Sequence, residues 1–182
     1  MDKLNLEAAG VHYTEEGITT NGTLRTIVPH IWAAGDITSE YQFTHVASDQ
    51  GKLVAHNVFA RKPQTFDDRV IPWVTYTDPE LARVGLSEAD LKEANIKYRV
   101  GRAYFNKLDR AITNDQTFGS VKLLADADGK LLGGHILGAN AGDLIAPVVY
   151  AIRFGLTVKM IADAMLPYPT MAEAVRWAAA EF

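Results

Sequence analysis

Leu166-Pro167-Tyr168-Pro169-Thr170-Met171-Ala172-Glu173 is the stretch from which the rest of the chain is read. Thr170 is followed three residues later by Glu173, just ahead of Val175, Trp177 and Ala178. That is the spacing of a capping box, in which the hydroxyl takes an orphan amide of the first turn and the carboxylate reaches back. A helix is therefore expected to start at Thr170. Pro169 fixes its own φ and pushes Tyr168 out of the α region, so the phenol is expected on a rigid, extended bend at the helix entrance. On spacing alone Tyr168 is a packed tyrosine and Glu173 a capping residue.

Upstream, Asp143 to Phe154 is apolar nearly all round, with charge only at Asp143 and Arg153. One helix is expected there, needing cover on more than one face, either as a central core helix or against a second chain. Thr157 is placed to cap a further helix from Val158 to Ala164. Before these, Val121–Ala125 and Leu131–Leu137 read as a hairpin around Asp126-Ala127-Asp128-Gly129, where Asp-Gly suits a type I′ turn. Calcium is excluded at that loop, because its twelfth position is Leu137, which cannot ligate. Tyr98–Phe105 and Ile71–Thr77 alternate as strands, the latter running into an Asp78-Pro79-Glu80 turn, and Ser87 with Asp90 opens a short helix to Ala94. Arg61-Lys62-Pro63-Gln64-Thr65 is a polar, proline-containing break and the expected domain boundary, giving units over 1–64 and 65–182.

The first 25 residues, punctuated by Gly10, Gly17 and Asn21-Gly22, read as short strands or loops. Ile31 to Ala34 is expected as a short buried strand ending in Gly35-Asp36; on spacing this is a turn, and also a place where backbone can approach a ligand while a carboxylate accepts hydroxyls. A helix with Thr44 as N-cap is expected to run to Phe59, its Thr44, His45, Val46 and Ala47 forming the amide-rich first turn.

The composition, with 48% hydrophobic and 22% charged residues, is that of a globular protein. A net charge of −4 gives no electrostatic reason to expect nucleic acid or an anionic membrane as partner. No run is apolar enough to span a bilayer and no signal-peptide pattern opens the chain, so a cytoplasmic location is expected. Cysteine is absent, which removes any thiolate nucleophile, zinc ribbon or redox dithiol from these residues. The five histidines share no metal-ligand spacing, and no Gly-x-Gly-x-x-Gly offers a complete dinucleotide site. Ser87 lacks the second glycine of a nucleophile elbow and remains a cap.

Ordered motifs over essentially the whole chain resemble those of the flavin-dependent pyridine nucleotide-disulfide oxidoreductases. They are Thr26-x-x-x-x-Ile31-Trp32-Ala33-x-Gly35-Asp36, Pro72-x-Val74-x-Tyr76-Thr77-Asp78-Pro79-Glu80-x-Ala82-x-Val84-Gly85, Gly119-x-x-Lys122-Leu123, Leu132-Gly133-Gly134-His135-Ile136-Leu137-Gly138 and the Tyr168 octet. In that family a His-Pro-Thr-x-x-Glu segment is delivered from one subunit into the active site of the other. Here Tyr168 stands in place of the histidine, as in the mercuric reductase branch, and Pro169, Thr170 and Glu173 match. The exchange matters, because imidazole titrates near neutral pH whereas a phenol, with a pKa of about 10, offers a hydrogen-bond donor or a ligand oxygen.

The resemblance implies an α+β fold: a small antiparallel sheet with helices packed on it over 65–182, the dimerisation domain, preceded over 1–64 by the closing part of an FAD-binding domain entered partway through. It makes Asp36 the ligand of the FAD ribityl chain and Gly35 its neighbour, and it points Thr44, His45, Val46 and Ala47 at the N1–C2=O edge of the flavin. Tyr168 and Glu173 become catalytic residues given to the neighbouring subunit's site, and the Tyr168–Pro169 bond is implied to be cis. The partner is a second copy, paired through residues 65–182, so that Val148→Asp or Ile152→Asp is expected to yield monomers. NAD(P)H and the redox cysteines belong to the missing FAD and NAD domains, so the chain alone is expected to be inactive. The mercuric reductases also carry a tail with vicinal cysteines beyond this helix, where this sequence ends at Glu181-Phe182. Two other readings are open: a dimerisation or interaction module without catalysis, and a minimal flavin carrier.

Overall fold

The computed structural model describes residues 2–38 and 41–182, in two compact units, one ending at Asp68 and one running from Arg69 to Phe182. The first unit has little regular structure. A 3-10 turn at Asp2–Leu4 is followed by isolated bridges, Tyr13 to Ile18 and Arg25 to Trp32, and by helix α1 (Thr44–Asn57). Val11, Ile18, Leu24 and Val46 form its buried apolar centre.

Three expectations fail here. Ile31–Ala34 is neither a strand nor buried: all four residues are half-exposed and only Trp32 pairs. The reason lies in the tight return at Val28–Ile31, where the Ile31 amide donates to the Val28 carbonyl. Too few residues are left on each arm for a ladder beyond the Thr26-to-Ile31 and Ala33-to-Leu24 bonds. Thr44 is not the N-cap of α1 but its first residue; Phe43, extended at φ −124° and ψ 139°, is the capping position and offers no side-chain bond. The helix stops at Asn57, two residues early, because the Phe59 and Ala60 amides tighten to carbonyls three residues back. Asn57 is buried, and its carboxamide donates to the carbonyls of Thr23 and Gln64 and accepts from the Gln64 amide, stitching three segments together.

The second unit is a five-stranded antiparallel sheet with helices. In chain order it comprises β1 (Trp73–Thr75), β2 (Glu80–Gly85), α2 (Glu88–Glu93), β3 (Arg99–Tyr104), α3 (Asp109–Thr113), β4 (Gly119–Ala125), β5 (Leu131–Gly138), α4 (Ala141–Leu144), α5 (Ala146–Arg153), α6 (Val158–Ala162) and α7 (Glu173–Ala180). The strand order is β1-β2-β5-β4-β3. The antiparallel α+β architecture expected for 65–182 is thus present. Strand β2 has no counterpart in the expectation, because the Asp78-Pro79-Glu80 turn draws attention away from the alternation of Ala82 and Val84 that buries one face of it.

Register places Val84, Gly134, Leu123 and Gly101 in one row, and Ala82, Ile136, Val121 and Ala103 in the next. These eight positions form the buried face, against which α5 and α7 close. Two of them are glycine because helices come so near: a Cβ on Gly134 would lie 2.5 Å from a Val148 methyl. On the opposite face, the row Trp73, Arg83, His135, Lys122 and Arg102 meets α2, whose Leu91 is buried. The capping box of Ser87 and Asp90 starts α2 as expected.

The β4–β5 loop departs from the expected type I′ turn. That turn needs positive φ at both central residues, and of the loop only Gly129 has it, at +81°. Asp126 accepts from the Asp128 and Lys130 amides, which fixes the turn before the glycine. Nor is Asp143–Phe154 one helix: it divides at Ile145, because Pro147 has no amide to continue the ladder. Val148 and Ala151 face the unit's own core, while Tyr150 and Phe154 point outward with 63% and 73% of their surface exposed.

Glu88 binds α2 to the sheet, accepting from Lys122 Nζ and from the Tyr98 phenol, both at 3.0 Å. The Lys122 hydrogen bond first, and then that of Tyr98, hold the Glu88 carboxyl below the usual carboxylate range. A depressed folded pKa contributes stability that is complete above the unfolded value, about 4.3, and is lost as pH falls through the folded one. Glu88→Gln is therefore expected to destabilise the fold at neutral pH by about 1 kcal/mol or less, given the partial exposure of the pair, and so to lower the melting temperature. In acid, where both side chains are neutral, the two proteins should melt together.

Candidate functional site

In the first unit the residues singled out for the flavin lie on the Gly35–Asp36 loop and in the first turn of α1, which meet where Gly35 approaches Ala47. Gly35 is buried and has φ +80°, and a Cβ there would stand 3.1 Å from that of Ala47. Its amide donates to Gln50 Oε1 at 2.6 Å, and its carbonyl accepts the Thr38 hydroxyl at 2.8 Å. The loop is thus pinned against the first turns of α1. Asp36, next in sequence, is exposed, and its carboxylate has no hydrogen-bond partner among the described residues. Thr44 and His45 are exposed at the helix start, Val46 is buried beneath them and Ala47 is half-buried. Phe43 gives this turn no side-chain cap, and the Ala47 amide closes it on the Phe43 carbonyl, so the exposed start of α1 carries the partial positive charge of a helix end.

Gln50 is the residue that sequence reasoning passes over. It is 2% exposed and lies one turn past Val46 on the buried stripe of α1. A polar side chain on an apolar stripe is the signal that could have found it, since a buried amide must be spent on a partner. Gln50→Leu keeps the volume and leaves the Gly35 amide unpaired, at an expected cost of about 1–3 kcal/mol. Hydrogen exchange at the Gly35 amide should become faster in that variant; unchanged protection would show that Gln50 does not hold the loop.

The second group lies in the other unit. The Tyr168–Pro169 peptide is cis, as the resemblance implies, and so is Asp78–Pro79. Tyr168 is 71% exposed, and its hydroxyl donates to Asp109 Oδ2 at 2.8 Å. That hydrogen bond and the Asp109 charge push the phenol above its usual value. Only half of the expected capping box forms. Glu173 Oε2 accepts from the Thr170 amide at 3.0 Å, but the Thr170 hydroxyl turns back and donates to the Pro167 carbonyl at 2.9 Å. The helix α7 consequently begins at Glu173, three residues later than the spacing predicts, with Ala172 as an uncapped N-cap. Glu173 is buried at 8% exposure, so its carboxylate serves the turn that presents Tyr168. Asp109, the partner of the phenol, lies 59 residues away in sequence and is not foreshadowed by any motif.

Comparison with known proteins gives this arrangement a family. Residues 71–179 match the model described as pyridine nucleotide-disulphide oxidoreductase, dimerisation domain, which covers more than half of the chain. The chain belongs to that family. Residues 1–51 match the model described as pyridine nucleotide-disulphide oxidoreductase. Among curated relatives, a mercuric reductase of Streptomyces lividans is 44% identical over 181 residues, covering 98% of this chain and 38% of the relative. A dihydrolipoyl dehydrogenase of Haloferax volcanii is 38% identical over 181 residues, again covering 98% of this chain and 38% of the relative. The chain thus spans about two fifths of the length of these family members.

Solved members of the family have the same fold. LpdA from Mycobacterium tuberculosis superposes with a TM-score of 0.91 at 25% identity, over 97% of this chain and 39% of that one. The HOCl-induced flavoprotein disulfide reductase RclA from Escherichia coli gives 0.85 at 26% identity, over 94% and 40%. The family is FAD-dependent, and the chain carries its dimerisation portion. No group of three or more potential metal ligands occurs among the described residues, and none of their helices is long and apolar enough to cross a membrane.

Proposed function

We propose that this chain is the C-terminal portion of an FAD- and NAD(P)H-dependent oxidoreductase, of the mercuric reductase or dihydrolipoyl dehydrogenase type, that works as a homodimer in the cytoplasm. Residues 1–64 close the FAD-binding domain and residues 65–182 form the dimer interface. The observation that carries the reading is the Gly35–Asp36 loop: a buried left-handed glycine fastened to α1, followed by an exposed carboxylate with no hydrogen-bond partner among the described residues. Such a loop fits a polyhydroxylated chain lying against backbone, with Asp36 accepting its hydroxyls. The first turn of α1, Thr44 to Ala47, which receives no side-chain cap from Phe43, presents the positive end of a helix suited to an anionic ring edge. When bound, FAD supplies the hydride and electron chemistry; the residues here bind and orient it.

Tyr168 and Glu173 serve the other subunit's site. The phenol is the group offered to substrate, and the Glu173 carboxylate holds the bend that offers it. Because the chain has no cysteine and no Gly-x-Gly-x-x-Gly, the nucleotide grip and the reactive sulfurs come from residues outside it, and the chain alone is inactive. Its charge of −4 gives nucleic acid no purchase.

Gel filtration of the chain mixed with FAD tests this directly. A colourless dimer is expected, since only part of the flavin site is encoded. Tight flavin retention by the chain alone would instead make it a carrier. Joined to the rest of its parent polypeptide, the protein should be yellow, Asp36→Ala should lose flavin, and Tyr168→Phe should keep flavin but lose turnover. A fully active Tyr168→Phe enzyme would sink the assignment of that residue.

A further inference from the structure

The phenol of Tyr168 has one proton to give, and the structure shows where it goes. Tyr168 donates to Asp109 Oδ2 at 2.8 Å. Both ends of this bond are held by structure beyond themselves. Asp109 is the first residue of α3, which follows a 3-10 turn at Phe105–Lys107 and is rooted by Phe105, Leu108 and Ala111, all essentially without exposure. On the other side, Tyr168 stands between Pro167 and Pro169, on a bend closed by the Thr170 hydroxyl on the Pro167 carbonyl. The carboxylate is an acceptor only, so the direction of the bond is fixed.

We propose that Asp109 is a positioning residue for Tyr168, holding the phenol proton on its own carboxylate so that the phenol oxygen meets an incoming ligand with lone pairs alone. The inference rests on the functional reading of Tyr168 given above and adds the class of ligand it suits. Such an oxygen favours a group that brings its own positive charge or its own proton, and disfavours a thiolate or other anion. A histidine at the same place could give or take a proton near neutral pH. The charged groups acting on the phenol, Asp109 first and Glu173 after it, are both negative and both oppose its ionisation.

The test is a titration of the 182-residue chain with its tyrosine rings labelled with carbon-13, the Tyr168 signal being assigned by its loss in Tyr168→Phe. In the unaltered chain Tyr168 should ionise above the ordinary phenol value of about 10. Asp109→Asn should bring it down toward that value and increase averaging of the ring, while Asp109→Glu keeps most of the upward shift. Should the amide variant not fold, Asp109→Ala gives the same reading. A Tyr168 titration and ring mobility that do not change when Asp109 loses its charge would overturn the proposal. No cofactor enters this measurement. If Tyr168 titrates as expected while Tyr168→Phe leaves the assembled enzyme fully active, the pairing with Asp109 stands and only the functional role of Tyr168 falls.

Discussion

Val148→Asp is expected to leave the second unit unfolded, not folded and monomeric. From the apolar run alone, Val148 is a candidate for the face turned to a partner, but it has no exposure in the single chain and packs where Gly134 makes room for it. A carboxylate there would lose its hydration with no cation or donor to replace it, and ionisable groups in that position cost several kcal/mol even after shifting toward neutrality. A domain with about 5–15 kcal/mol of total stability has little left after a loss of about 4–5 kcal/mol. Far-ultraviolet circular dichroism should show the loss of structure. Tyr150→Asp, at an outward position of α5, and Phe154→Asp, at its C-cap, are the proper interface probes: they should retain the native spectrum and sediment as monomers if this face pairs. A dimer persisting in both would move the interface to another surface.

Gly101→Val is expected to detach α7. Gly101 lies in the middle of β3, where a Cβ would fall 2.1 Å from the Ala178 carbonyl oxygen and 2.4 Å from the Phe182 ring. The ring end could yield; the helix backbone cannot without lifting α7 from the sheet. Overpacking of this kind costs about 1–3 kcal/mol, and more where the obstacle is main chain. The consequence reaches the candidate site, because α7 holds Glu173, whose carboxylate fastens the amide of Thr170 two residues beyond Tyr168. Faster hydrogen exchange across α7, together with a Tyr168 ring that loses its fixed orientation, should follow. Protection of α7 equal to that of the unaltered chain would show that the close approach is not what seats it.

How much of this was legible in the sequence depended on how local each determinant is. The capping box of Ser87 and Asp90 and the Thr157 cap are matters of three residues, and both stand where the spacing puts them. The strand β3 and the β4–β5 hairpin were legible from alternation, because one face is buried throughout. Thr170 has the same local pattern but behaves differently, since its hydroxyl has a better-placed acceptor in the Pro167 carbonyl that the pattern does not contain. Within the site, Gly35, Asp36 and the start of α1 could be named from motifs. Gln50 is marked only by its polarity on the apolar stripe of α1, and Asp109 not at all, because their partners lie 15 and 59 positions away in sequence. The break in the long apolar helix was visible at Pro147, and its effect on which face turns inward was not.

The row Arg83, Lys122 and Arg102 on the side of the sheet away from α5, answered by Glu88 and Asp90 of α2, bears on how copies of the chain add to one another. Stripping water from such a cluster costs more than a neighbouring apolar contact returns. Growth by stacking on that side is thereby penalised, while Tyr150 and Phe154 stand exposed elsewhere on the unit. A molecule adhesive on one side only terminates after a single self-complementary encounter, and so closes as a twofold pair where a two-sided one would run on into a filament.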